Sequence, residues 1–511
     1  MKNCKWALLL FMLIACHCAF AQTFPIHLQG KVLKNHESFT KGESVQFVSY
    51  SHDFMLMAHQ SLDLFFIQDA KERQLKVDNK LSSYCEFCPK TVQDIWDAHI
   101  LLDVLPGIQK KGVQSELRQE MEDDALQYIG EVERYGILFE DPYLESYIYG
   151  LIAKIAPKYY LDGRQNSLNI VFLQDPSTNA FTYPNGTIVL NTGLLAALHT
   201  EDELVAVLAH EIAHYVLDHG VQNVNKALVR QRRAEFWAGL ATGLTAVAEG
   251  VAAANNDYYM PGLATLGVSA VSTALATQIN KRLGMEFNHE QELEADKLSC
   301  QILRTLGYDP GALSSFLNRV QDGYMMLKNN SYVEESPTHP SLAERITRCG
   351  PFTEKTDIAF EQMVSFAISN IASINYINKK FSRCIQYTTQ NINNHVATAD
   401  DYLLKANCLL SMENTAESNQ EVMSLIQQAK QLSPGNINSF KIEILVALRM
   451  HQRDYAISLL NDYIQRLLGM DSPQETVHND VYLNNNYPFV SEEVSWAKRM
   501  LIKLNGMCVT L

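Results

Sequence analysis

The stretch from Glu201 to Leu217, EDELVAVLAHEIAHYVL, constrains this chain more than any other. Its apolar residues recur at helical spacing, and Glu201, Asp202 and Glu203 open it, so it predicts one helix. Inside that helix lies His210-Glu211-Ile212-Ala213-His214, an HExxH. Residues four apart on a helix share a face, so the two imidazoles can grip one zinc ion. Glu211 is displaced around the helix and can reach a water on the same ion. The motif requires a helical context, and the sequence provides it.

A hydrolytic zinc takes a third protein ligand and keeps a fourth position open. The best source is Glu292-Leu293-Glu294-Ala295-Asp296. Glu292 is assigned to the metal. Asp296, one helical turn further on, is assigned to hold an imidazole N–H of a ligand histidine. Glu290 and Glu294 compete for these places, with Glu294 on another face from Glu292, and a solvated acidic helix face is the plain alternative. His219 lies on a different face from the histidine pair and reads as structural.

The rest of the composition narrows the setting. The chain has 511 residues, 47% of them hydrophobic and 19% charged, which suits a folded protein of about three domains. A net charge of -15 speaks against nucleic acid as a partner. A mean hydropathy of -0.12 excludes a polytopic membrane protein. Residues 1–21 read as a secretory signal: Lys2 and Lys5, an apolar run from Trp6 to Ala15 too short to span a bilayer, and Ala19-Phe20-Ala21 before the cut. The alternative is a lipobox, Leu13-Ile14-Ala15-Cys16, with Cys16 as a lipid anchor. Both readings export the protein.

Residues 22–113 read as a small β-rich domain of short strands broken at Gly42, Asp53 and Asp69. Its Cys85-Glu86-Phe87-Cys88 is a lone CxxC, better taken as a local disulfide or two plain thiols than as a redox or zinc site. Helices are predicted over Leu117 to Gly136 and from Asp141-Pro142 to Ala156. A strand follows at Leu168 to Leu173, then a hairpin about Pro184-Asn185-Gly186. Residues 236–279 read as a tightly packed helical hairpin of small residues, with docking on a membrane as the alternative. Residues 351–511 read as helices whose pairs recur at a near-tetratricopeptide offset, and such pairs stack into a protein-binding surface. The class is α+β, mainly helical.

The segments HEIAHYVLDH (His210 to His219), ELEAD (Glu292 to Asp296) and THPSLAER (Thr338 to Arg345) occur in an order that resembles the CAAX prenyl endopeptidase family of zinc metallopeptidases. Asn179-Ala180-Phe181 and Asn191-Thr192-Gly193-Leu194-Leu195 are similar to that family too. A protease domain ahead of helical repeats and behind a signal resembles its periplasmic β-barrel-assembly-enhancing subgroup. The resemblance implies a gluzincin-like metallopeptidase domain over 114–350, with one Zn2+ per chain on His210, His214 and Glu292 and with Glu211 as general base. It places His339 and Arg345 near the site, His339 as a catalytic group at the metal or the oxyanion and Arg345 in support. It makes Asn179, Ala180 and Phe181 an edge strand on which substrate lies extended. The implied substrates are unfolded or stalled exported proteins in the periplasm, with the outer-membrane assembly machinery a partner of the repeats. The rival function is a periplasmic chaperone or assembly factor acting mainly through those repeats.

Overall fold

The computed structural model describes residues 28–36, 39–55, 60–78, 81–104, 113–158, 168–230, 279–280, 283–328, 339, 342–346, 350–351, 353, 355, 357–469 and 487–506. The signal-like segment and nearly all of 236–279 lie outside them. The architecture is α+β and mainly helical. Residues 358–511 group in one compact unit and the described residues before them in another. Among the described residues, no helix is long and apolar enough to cross a membrane.

The first unit opens with an antiparallel sheet. Strands β1 (Gln29–Val32), β2 (Ser44–Met55), β3 (Gln60–Gln68), β4 (Gln74–Asp78) and β5 (Cys85–Phe87) take the order β4-β3-β2-β1-β5. Period-two alternation buries Val45 with Phe47 and Leu75 with Val77. The break expected at Asp53 does not occur: Asp53 pairs with Leu62 inside a continuous ladder. One poor strand former is carried by the pairing on either side of it. Strand β5 was not legible either, because its short run carries no alternation. Cys85 is buried, Cys88 exposed, and both are free thiols, as are Cys384 and Cys408; Cys300 is disulfide-bonded.

Among the described residues, three α-helices and a π-helical turn at Ile100–Val104 lead to a second sheet. In α1 (Val92–His99), Thr91 and Asp94 form a capping box, and the buried indole of Trp96 donates to the Ile155 carbonyl at 2.8 Å. Helix α2 (Val113–Arg134) is followed by α3 (Pro142–Ile155), which Asp141 caps by accepting from the Tyr143 and Leu144 amides. Strands β6 (Asn169–Leu173), β7 (Ala180–Thr182) and β8 (Thr187–Asn191) are ordered β6-β8-β7. Strands β6 and β8 run parallel, while β7 and β8 form the expected hairpin. Its turn uses Gly186 at φ +82°, where glycine is cheap.

After β8 the chain enters α4 (Thr192–Ala197) through Gly193, whose amide donates to the Asp175 carbonyl. A Cβ on Gly193 would meet the Pro176 carbonyl oxygen at 2.4 Å, so only glycine admits that loop. Helix α5 (Glu201–Val216) is buried from Asp202 onward. Its first-turn acids suit the positive end of the helix dipole, and each has a partner. Glu201 accepts from the hydroxyls of Tyr147 and Tyr308 at 2.6 and 2.7 Å, Asp202 pairs with Lys355, and Glu203 with Arg319. Helices α6 (His219–Arg230), α7 (His289–Leu306), α8 (Ala312–Lys328) and α9 (Leu342–Arg345) complete the unit. Both α7 and α8 pack on α5.

The second unit consists of α10 (Ile358–Ile377), α11 (Phe381–Asn393), α12 (Ala399–Met412), α13 (Ala416–Leu432), α14 (Ile437–Arg449), α15 (Arg453–Gly469) and α16 (Tyr487–Gly506). Each helix packs on the next, and α10 meets α12 as α12 meets α14. Ala406, Val422, Ala429 and Val446 fill one shared core of this stack.

Candidate metal centre

Helix α5 presents His210 and His214 one turn apart, and α7 presents Glu292 opposite them. Asn288 and Gln291 fix the start of α7 with a capping box, which sets the register that turns Glu292, Asp296 and Ser299 toward α5. The Ser299 hydroxyl donates to the Ala206 carbonyl at 2.7 Å and ties the two helices together. One ligand atom from each of His210, His214, Glu292 and His339 lies within 4.8 Å of the others.

The histidine tautomers follow from their outer contacts. His210 Nδ1 lies 2.8 Å from Asp296 Oδ1, so its proton belongs on Nδ1 and its lone pair on Nε2. His214 Nδ1 lies 2.8 Å from His219 Nδ1. With the proton of His214 on Nδ1, His219 accepts there and keeps its own on Nε2, which faces Glu294 Oε2 at 3.4 Å. The two inward Nε2 atoms are then lone pairs facing each other at 3.0 Å, with Glu292 Oε1 3.4 Å from that of His214. Two facing acceptors repel unless a cation lies between them. The N,N,O donor set and this arrangement fit zinc.

Charge around the cluster is distributed unevenly. Burial works against a charge on Glu292, but His339 and Arg345 hold its carboxyl well below the usual range. Asp296 is likewise held down by Arg345 against burial. Burial pushes Glu211 up, the direction a proton acceptor needs, and its buried Oε2 has no hydrogen-bond partner among the described residues. Burial pushes His214 well down, keeping it neutral. Burial would lower His339 as well, yet the Glu292 and Glu211 carboxylates raise it to about 9.

The other expected residues divide. His339 sits in the cluster, its Nδ1 3.1 Å from Glu292 Oε1 and its Nε2 3.1 Å from the Ala180 carbonyl. Arg345, expected in support of the site, lies against Glu292 and Asp296 of α7. Its Nε and Nη2 each donate to Asp296 at 2.8 Å and its Nη1 lies 2.6 Å from Glu292, so the guanidinium is committed. Among the described residues, strand β7 is an edge of its sheet. Asn191 and Tyr183 donate to Asn179 and Thr187 across the hairpin, so the odd residues pair with β8 and Ala180 faces the free edge. Phe181 is therefore a correction to the expectation that it lines the substrate edge. Its main chain faces β8 and its ring is fully buried in the core with Tyr183 and Val189, so it offers substrate nothing. Asn179 precedes the strand.

Three contributors escaped the sequence reading: His219, Glu294 and Phe287. His219 was expected on a different face from the histidine pair and was read as structural. After α5 ends, Asp218 turns at φ +66° and α6 begins at His219, whose ring Nδ1 lies against that of His214. Phe287 stacks on the His214 ring at 3.7 Å. No motif marks these contacts, although three acids at every second position of Glu292 to Asp296 were a signal that more than two served the site. If His219 and Glu294 orient His214, His219→Ala is expected to weaken zinc binding by about 10–100-fold while His219→Asn, which keeps an acceptor, recovers most of it. Competition with a chromophoric chelator reads this directly, and equal affinities would discard the orienting role.

A helix-borne histidine pair completed by a carboxylate from a second helix is the frame of the metallopeptidases that activate water on zinc. Residues 142–349 match peptidase family M48. The beta-barrel assembly-enhancing protease of Escherichia coli (strain K12) is 28% identical over 225 residues, 43% of this chain and 41% of that one. A putative beta-barrel assembly-enhancing protease of Vibrio cholerae is 26% identical over 214 residues, 41% of this chain and 39% of its own. The mitochondrial metalloendopeptidase OMA1 of Saccharomyces cerevisiae is 22% identical over 212 residues, covering 41% of this chain and 53% of that protein. The matches thus span about two fifths of the length of the bacterial relatives.

Proposed function

We propose that the chain is an exported zinc metalloendopeptidase that cuts unfolded or misassembled envelope proteins. The observation that carries this reading is the convergence of His210, His214 and Glu292 beside a buried Glu211 oxygen that has no partner among the described residues. Zinc on those three side chains would make water acidic enough to ionise near neutral pH and would polarise the scissile carbonyl. Glu211 takes the proton of the attacking water and hands it to the leaving amine. Asp296 and His219 keep both ligand rings in the tautomer that points Nε2 inward. His339, raised in basicity by two carboxylates, supplies a donor to the oxygen that gains charge. The outward main chain of Ala180, whose carbonyl His339 faces at 3.1 Å, would hold substrate as an added strand once that contact opens, so unfolded chains fit better than folded ones.

Glu292→Gln tests the ligand set. It is isosteric but removes the anion, so metal analysis is expected to fall from one zinc per chain toward none, with activity lost in parallel and folding retained. Chelation of the wild type is expected to abolish cutting and added zinc to restore it. A variant with full zinc content would overturn the assignment of Glu292.

The rival reading, a chaperone or assembly factor, is favoured by the successive packing of α10 to α16. The names of the bacterial relatives support contact with the outer-membrane assembly machinery. A chain lacking residues 358–511 that keeps full biological activity discards this rival.

A further inference from the structure

The second unit holds two nucleophiles that the steps above leave unused. Cys384 of α11 and Cys408 of α12 are both free thiols and both fully buried. Helices α11 and α12 pack on each other and are joined by a short connection at 394–398, so they run antiparallel. Their register is fixed by polar contacts. The Asn391 side-chain amide donates to Asp401 Oδ1 at 3.3 Å, and the Ser369 hydroxyl of α10 donates to the same oxygen at 2.7 Å. Cys384 lies seven residues before Asn391, and Cys408 seven residues after Asp401. Seven residues are about two helical turns, so each cysteine shares the face of its polar neighbour. In an antiparallel pair the two steps run in the same direction, which sets Cys384 opposite Cys408. Both thiols fill one small buried cluster with Ala372, against which Tyr376, Phe381 and Leu404 pack.

We infer that Cys384 and Cys408 are a disulfide-forming pair that staples α11 to α12, oxidised by the disulfide of a thiol–disulfide oxidoreductase. An oxidant of that class belongs to the exported setting proposed above, and for its supply the inference rests on that reading. The thiolate of one cysteine attacks a sulfur of the oxidant, forms a mixed disulfide and releases the other sulfur as a thiolate. The second cysteine then attacks the mixed disulfide at the sulfur of the first. The pair gives up two protons and two electrons, and the oxidant leaves as a dithiol. This exchange belongs to folding, before α11 closes on α12. In the packed protein a hydrogen bond with the Cys408 thiol and burial push the Cys384 thiol up, which makes it a poor nucleophile. The same burial shuts the finished bond off from reductants. The bond fixes how one helix of the stack lies on the next, and so the surface that the stack presents. The plain alternative is two thiols that serve only as small packing groups, and it predicts no dependence on redox state.

The test uses the full chain. Reduced, unfolded protein is refolded with reduced and oxidised glutathione, quenched in acid, blocked with N-ethylmaleimide in denaturant and digested without reductant. Mass spectrometry is expected to find the Cys384 and Cys408 peptides joined. Maleimide on both peptides overturns the inference. The same mapping on protein exported by a bacterial host and trapped in acid tests the setting separately. A bond that forms with glutathione, while the host delivers both thiols free, overturns the exported reading and leaves the pair standing. Melting separates the staple from packing. The double variant Cys384→Ala with Cys408→Ala is expected to melt roughly 7–14 °C below wild type when both are refolded with glutathione. The gap is expected to shrink to a few degrees when both are refolded and melted in dithiothreitol. A gap of the same size in both conditions means that the side chains act by packing alone, and overturns the staple.

Discussion

Replacing Glu211 by Gln is expected to lower the turnover of casein or an unfolded envelope protein by about 10²–10⁴-fold, the usual worth of a positioned general base. The amide keeps the size of the side chain and its place on α5, one turn beyond Val207, but it cannot accept the proton of water. Zinc should stay, because in the proposed ligand set His210, His214 and Glu292 hold it and Glu211 does not. Thermal stability should stay or rise slightly, since burial raises Glu211 and so penalises its charge in the folded chain. The combination of normal zinc content, normal melting and lost turnover is diagnostic. If both proteins cut casein equally well, water activation by Glu211 is wrong.

Arg345→Met is expected to be the most damaging change to stability in the site, about 3–5 kcal/mol, because it strands two buried carboxylates. The guanidinium of wild type sits between Asp296 and Glu292 and is itself only 2% exposed. For a domain of this size the loss corresponds to a fall in Tm of roughly 6–20 °C, measured on zinc-free protein. Its pH dependence has a definite sign. In wild type the Asp296 carboxyl titrates below its ordinary 3.8, so its contribution is whole above that pH and is lost as pH falls through the depressed folded value. In the variant the guanidinium is gone and burial is opposed by His210 but no longer by Arg345, so the folded value rises and the buried charge costs most at neutral pH. The gap between the two proteins should therefore be widest near pH 7 and close toward about pH 4. A gap independent of pH would mean that Arg345 matters through packing rather than charge.

Much of this protein was legible because its signals are local. The HExxH lay in an amphipathic run with a strong start, and periodicity alone located α5. ELEAD fixed a second helix with carboxylates one turn apart, and Pro184-Asn185-Gly186 announced the hairpin. Each of these rests on a repeat of two or 3.6 residues, which a sequence carries explicitly. Continuity through Asp53 did not read out, because it depends on the pairing partner Leu62 rather than on Asp53 itself. The proposed exported setting and the proposed zinc ligands are separate matters: the first rests on the sequence of residues 1–21, the second on side chains more than seventy residues apart.

What the amino-acid order determined by itself was the list of donors and the helices that bear them. What only the tertiary structure decided was their commitments: that Arg345 binds two acids instead of facing substrate, that Phe181 turns into the core while Ala180 faces the free edge, and that His219 doubles back onto His214. The physical reason is that a side chain's role is set by what competes for it in three dimensions. Hydrogen-bond capacity is finite, and a guanidinium already shared between two buried carboxylates has nothing left for an oxyanion.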